Sequence, residues 1–261
     1  MTLIILALLI SYTLFFLYSL RINDNSIVDV FWGFGFMIIA WVSFLQSEKI
    51  MSQILVTGLV FLWGIRLTSH IGFRKLREWK EDPRYAKWRE EWGSRWYFIV
   101  RSFLQVYMLQ MVLMIVVALP ILLVNLYSEQ NPPNPLSQGG IEQIFLILWI
   151  IIALFGLIFE TIADLQLKAF LKIKKPGQIF TSWLYWYSRH PNYFGESMFW
   201  LWISLISLQY SYIGLIGWIT ITCLLLFVSW VPLQEARYAG RPEWEGYKKK
   251  TSVFIPWFPK Q

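Results

Sequence analysis

The chain has 261 residues, of which 57% are hydrophobic and 19% aromatic, with a mean hydropathy of +0.49; a soluble domain of this length is excluded, and a polytopic membrane protein is required. The net charge of +7 fits lysine and arginine gathered in cytoplasmic loops against anionic lipid, not a nucleic-acid partner. One cysteine, Cys223, excludes an intramolecular disulfide, and two distant histidines, His70 and His190, have no metal-ligand spacing.

In chain order, apolar runs predict seven membrane helices at about 2–20, 27–45, 51–70, 102–125, 141–163, 193–209 and 212–231. The first has no basic residue before it and no small-residue cleavage pattern, so it reads as a retained helix. Asn131-Pro132-Pro133-Asn134-Pro135 with Gly139-Gly140 breaks the chain before the fifth span, and Lys175-Pro176-Gly177 breaks it after. Nine basic residues in 71–101, four in 168–182 and six from Gln234 onward, against none in 126–140, set the orientation. The expectation is an all-α, seven-span, single-domain membrane protein (1–261) with its N-terminus outside and its C-terminus cytoplasmic.

Polar residues inside the spans carry the functional expectations. Asp29 opens the second span, and Arg66, His70 and Arg74 recur at four-residue spacing on one face of the third. Glu160 and Asp164 do the same at the end of the fifth. Trp79, Trp88, Trp92 and Trp96, in the basic and acidic loop 72–96, predict an amphipathic helix in the membrane interface.

The densest chemistry lies at 188–196, Ser-Arg-His-Pro-Asn-Tyr-Phe-Gly-Glu. Pro191 suits the first helical position, so a helix starts there with Arg189 and His190 beside its free N–H groups, an arrangement suited to phosphate or carboxylate. Gly195 permits close approach of a ligand or a second backbone. Glu196, one turn into an apolar helix, demands a partner or a function. The tail, with Arg237, Tyr247 and Lys250, suits folding back over a polyanionic ligand.

The run 188–196, the segment from Asp164 to Lys175-Pro176-Gly177, and the closing Phe254-Ile255-Pro256-Trp257-Phe258-Pro259 resemble the steroid 5-alpha-reductase family, in particular its bacterial relatives. Asp29-Val30-Phe31-Trp32-Gly33 and Arg66 to Arg74 extend the resemblance. It implies seven helices holding NADPH on the cytoplasmic side and delivering its hydride to a carbon–carbon double bond conjugated to a ketone. Carried over, Asp164, Asn192, Gly195, Glu196 and Trp200 match cofactor contacts, with Arg189 and His190 beside them. Lys174 or Lys175 stands where the family has arginine, Glu160 replaces an asparagine, and Arg237, Tyr247 and Lys250 fall in the cofactor-covering tail. The cofactor half is thus about 160–259.

The family's catalytic glutamate and tyrosine have no match, since Trp63 falls where the tyrosine would. Asp29, Arg66 and His70 are the groups available to polarise a ketone oxygen. The substrate implied is a lipophilic molecule entering from the bilayer, and the membrane is a bacterial inner membrane or the endoplasmic reticulum. Two alternatives stay open. Arg189-His190-Pro191-x-Tyr193-x-Gly195 followed by Glu235 and Gly246-Tyr247 also resembles integral-membrane methyltransferases that use S-adenosylmethionine, and the missing pair allows a non-enzymatic lipid- or sterol-binding protein.

Overall fold

The computed structural model describes residues 1–78, 80–127 and 140–260. The Asn131 to Gly139 part of the predicted break, and Trp79, lie outside them. Among the described residues the secondary structure is helical, and six helices are long and apolar enough to cross a membrane. The protein is therefore a multi-pass integral membrane protein. It comprises two compact units, 1–134 and 135–261; the segment expected to form the cofactor half falls in the second.

The first unit contains α1 (Thr2–Ile22), α2 (Val28–Leu45), α3 (Met51–Glu78), α4 (Pro83–Glu91), α5 (Arg95–Val117, with a π-helical segment Ser102–Met108) and α6 (Leu119–Leu126). Along α1, Ile4, Leu8, Tyr12, Phe16 and Ser19 form the buried stripe, whereas Leu3, Leu6, Ile10, Leu14 and Leu17 are exposed and equally apolar. That is the pattern of a helix with one face to protein and the other to lipid. Tyr12 packs edge-on against Phe31 at 4.5 Å, and Phe36 against the fully buried Trp63 at 5.6 Å. The helices α2 and α3 cross where a Cβ on Gly33 would lie 2.7 Å from the Gly64 carbonyl, and one on Gly64 2.8 Å from that of Gly33. Small residues are what let membrane helices approach this closely.

The second unit contains α7 (Gly140–Ile173), a single turn at Leu184–Tyr187, α8 (Pro191–Ser207), α9 (Tyr212–Ala236) and α10 (Pro242–Lys250). As the sequence predicts, α8 starts at Pro191, and Lys175-Pro176-Gly177 ends α7, with Gly177 at φ 83°. At 17 residues, α8 is shorter than the six long helices, and most of its length is buried. A π-helical segment, Leu224–Val228, interrupts α9, and Ser229 leaves helical geometry at φ −118°, ψ −87°.

The crossing of α7 and α8 is again backbone to backbone. A Cβ on Gly156 would lie 2.7 Å from the amide nitrogen of Phe199, and one on Gly195 2.6 Å from that of Glu160. Of the two roles the sequence allowed Gly195, the structure shows the approach of a second backbone. Ser197, Thr222 and Trp218 join α8 to α9 by hydrogen bonds of 2.8 and 3.0 Å. Overpacking of this kind costs about 1–3 kcal/mol, so Gly195→Ala is expected to lower the melting temperature of the purified protein. Gly246→Ala, where nothing lies within 4 Å of the new Cβ, leaves it unchanged or slightly raised; equal melting points for both variants would contradict the crossing.

Candidate functional site

In the second unit, the start of α8 gathers most of the residues singled out in the sequence. The Asn192 amide donates to the Asp164 carboxylate at 3.2 Å, joining the first turn of α8 to α7. One turn earlier on α7, Glu160 is buried with its backbone against Gly195, and the next residue on α8, Glu196, is buried too. Trp200, a turn further on, is fully buried. Tyr185 is buried close enough to Asp164 for its phenol to be pushed well above the ordinary range, by burial first and by that carboxylate second.

Arg189 and His190 meet an anion belonging to the chain itself. Arg189 Nε lies 2.9 Å and His190 Nε2 3.2 Å from the same oxygen of Glu235, at the end of α9. Arg189 also donates to the Lys248 carbonyl at 2.9 Å and lies over the Trp244 ring. Burial holds His190 below its ordinary range, against the pull of Glu235. The His190 ring stacks on Tyr193, whose hydroxyl accepts from Gln234 at 2.6 Å. Both side chains are thus engaged, His190 in tying the start of α8 to α9 and Arg189 in tying it to α9 and α10.

The tail closes over this segment. The Arg189 amide donates to the Ser252 carbonyl at 2.8 Å, Ser188 Oγ to the Phe254 carbonyl at 2.7 Å, and the Trp257 amide to the Tyr187 carbonyl at 3.0 Å. The Tyr247 hydroxyl donates to the Tyr185 carbonyl, and burial pushes that phenol up. Arg237, Lys250 and Lys174 are exposed. Lys175 lines an open cleft of about 630 Å³ with the loop 176–181, Arg241 and Glu243. Phe180 anchors that loop by stacking on Phe170 at 4.7 Å and packing on Tyr185 at 4.8 Å.

In the first unit, Asp29 is held from a direction that spacing along α3 did not indicate. Hydrogen bonds reach it from α4, from the Tyr85 hydroxyl at 2.9 Å and from Arg84 Nη2 at 3.2 Å. Arg66 and His70 lie half-buried on α3. Asp82 caps α4 by accepting from the Arg84 amide at 3.0 Å, and Pro83 takes the first helical position. The segment is pinned to the α1–α2 turn: Arg89 pairs with Glu81 at 2.8 Å, Glu81 accepts from the Asn25 amide at 2.9 Å, and Lys75 pairs with Asp24. Tyr85 is buried, and burial with the neighbouring Asp29 charge holds its phenol well above the ordinary range. The interfacial helix expected over 72–96 is divided: Trp88 and Trp92 stack at 5.6 Å, while Trp96 belongs to α5 and is 74% exposed.

The family described as protein of unknown function DUF1295 matches residues 15–251. The chain belongs to that family. The match takes in both units, including α4, the start of α8 and most of the tail. No curated protein and no solved structure matches the chain.

Sequence reasoning named Asp29 but missed Tyr85 and Arg84, whose approach is tertiary. The readable signal was Glu81-Asp82-Pro83, a helix-start pattern that places the next residues on a helix of their own. Glu235 was read only as part of a resemblance, yet it joins the end of α9 to Arg189 and His190 at the start of α8. Glu235→Gln is expected to loosen the tail, read out as faster tryptic cleavage after Lys248, Lys249 or Lys250. Stability has a matching pH dependence. His190 is held below its unfolded value of about 6.5, so under that pH the unfolded chain takes up a proton that the folded chain resists. The melting temperature should fall as pH drops below about 6.5 and stay flat above it. His190→Gln should flatten the slope; an unchanged slope would contradict the assignment.

Proposed function

We propose that the protein is an NADPH-dependent membrane reductase acting on a carbon–carbon double bond conjugated to a ketone in a lipophilic substrate. The observation carrying this reading is the Asn192–Asp164 hydrogen bond beside buried Glu160 and Glu196, since these positions resemble the cofactor contacts of steroid 5-alpha-reductases. The residues present fit such a cofactor. Lys175 and Arg241, which line one cleft together with Glu243, supply the charge for phosphate groups. Asp164 and Asn192 supply an acceptor and a donor for hydroxyl and carboxamide groups. Bound there, NADPH supplies the hydride.

In the first unit, the groups offered for polarising the ketone oxygen are those the sequence named, Asp29, Arg66 and His70. Asp29 accepts from the Tyr85 hydroxyl and from Arg84, which hold its carboxylate in place, and Arg66 and His70 are the donors offered to a developing enolate oxygen. The proposal includes seven spans, with α8 as the seventh, the N-terminus outside and the C-terminus cytoplasmic; it rests on loop charge and is read by a reporter fused after Gln261.

The methyltransferase reading draws support from one observation, that Glu235 and Tyr247 both bond to the segment 185–190. Ligand-induced stabilisation separates the two. NADPH should raise the melting temperature and S-adenosylmethionine should not, because a ligand that binds only the folded state stabilises it by mass action; the reverse would transfer the assignment. Glu196→Gln should weaken the NADPH effect. Asp29→Asn should preserve it while lowering turnover of a lipophilic enone by about a hundredfold or more. Full turnover by Asp29→Asn would remove it from the reaction site.

A further inference from the structure

A second cavity, of about 580 Å³, lies in the first unit between α4 and α5, lined by Trp88, Glu91, Trp92, Arg101, Gln105 and Leu109. The function proposed above uses none of these residues. Its position is set by the apolar span that begins at Arg95 and carries exposed Trp96 and Tyr97 in its first turn, the aromatic belt of a membrane boundary. Leu109 is two turns beyond Arg101, about 12 Å deeper along the helix at 1.5 Å per residue. The cavity therefore has a polar end at headgroup level and an apolar end on the lipid-facing side of α5.

The polar end has directional chemistry. Arg101 donates through Nε to Gln105 Oε1 at 3.0 Å and through Nη1 to the Tyr97 hydroxyl at 2.9 Å, and its guanidinium lies 5.2 Å from the Trp92 ring centroid. Those bonds fix the guanidinium while leaving Nη2 as a donor. With its oxygen engaged by Arg101, the Gln105 amide turns its NH2 outward. Two N–H donors, one charged, are the recognition set for a phosphate oxygen. At the other side of the cavity is the Glu91 carboxylate, whose partner Lys87 is 3.5 Å away in a pair exposed by 74% and 51%. An exposed pair of this kind is worth little, so Glu91 can exchange Lys87 for another ammonium at small cost.

The aromatic groups narrow the choice of ammonium. Trp92 is engaged by Trp88 and by Arg101, and Trp88 meets Tyr85 edge-on at 5.5 Å. No open aromatic box is left for a quaternary ammonium. A primary ammonium, with three N–H donors, is what a carboxylate accepts best.

We propose that this cavity binds a phospholipid with an ethanolamine headgroup, the phosphate on Arg101 and Gln105, the ammonium on Glu91, and an acyl chain along Leu109. The test is native mass spectrometry of the purified protein titrated with dihexanoyl phosphatidylethanolamine, phosphatidylcholine, phosphatidylglycerol and free phosphoethanolamine. The ethanolamine lipid should bind about tenfold more tightly than the choline lipid, the effect of one charge-assisted hydrogen bond. Glu91→Gln, on an exposed site, should erase that gap, and Arg101→Gln should weaken binding of every phospholipid.

Equal binding of the ethanolamine and choline lipids, or a gap that survives Glu91→Gln, would overturn the proposal. So would tighter binding of phosphatidylglycerol, which would make the site one for anionic lipid. Free phosphoethanolamine binding as tightly as the lipid would move the source from membrane to solution, and that too would overturn it. Should Arg101→Gln fail to fold, the Glu91→Gln comparison still decides.

Discussion

Contact between helix backbones at paired glycines is the constraint on which each unit depends. Gly33 meets Gly64 in the first unit and Gly156 meets Gly195 in the second, and at each a single added methyl would collide with a carbonyl oxygen or an amide nitrogen. In lipid, helices gain little from burying apolar side chains against each other, because the solvent they leave is as apolar as the protein. Close approach substitutes dispersion and short-range backbone contact. It also fixes which polar side chains lie next to each other. The α7–α8 contact seats Glu160 against Gly195 and allows Asn192 to reach Asp164 one turn away.

A second consequence is that most charge near the start of α8 serves the protein itself. A helix N-terminus with an arginine and a histidine beside it attracts an anion, and here the anion is Glu235. Burying Arg189 is tolerable because it is paired and its other hydrogen bonds go to the Lys248 and Ser252 carbonyls of the tail. Cations left facing a cleft, Lys175 and Arg241, lie on the loop after α7 and at the start of α10. The division leaves structural charge at the helix junction and the cleft's charge for the cofactor proposed above. Segregation of apolar from polar faces plays little part in seating α1, since its buried and exposed sides are both apolar.

Features encoded by neighbours in sequence were the legible ones. Pro191 opens α8, Lys175-Pro176-Gly177 ends α7, and apolar runs mark six long helices, because each depends on local steric or solvation rules. The tail was read as folding back over a polyanionic ligand, and its hydrogen bonds to Tyr187, Ser188 and Arg189 were not foreseen. Tyr85 was missed because the partner of its hydroxyl, Asp29, is 56 residues away in sequence. The amphipathic-helix reading of 72–96 treated four tryptophans as one face, whereas the helix-start signal at Asp82-Pro83 and a second at Ser94 divide them. The π-helical segments in α5 and α9 had no sequence signal of their own.

The central claim, that the start of α8 and its covering tail form a nucleotide-cofactor site, is tested most directly by hydrogen–deuterium exchange of the detergent-purified protein. Exchange is measured without ligand, with saturating NADPH, and with saturating S-adenosylmethionine. The account predicts NADPH-dependent protection in the segments 174–192 and 237–252, and none from S-adenosylmethionine. Unchanged exchange in both segments with NADPH, or protection by S-adenosylmethionine in its place, would contradict it.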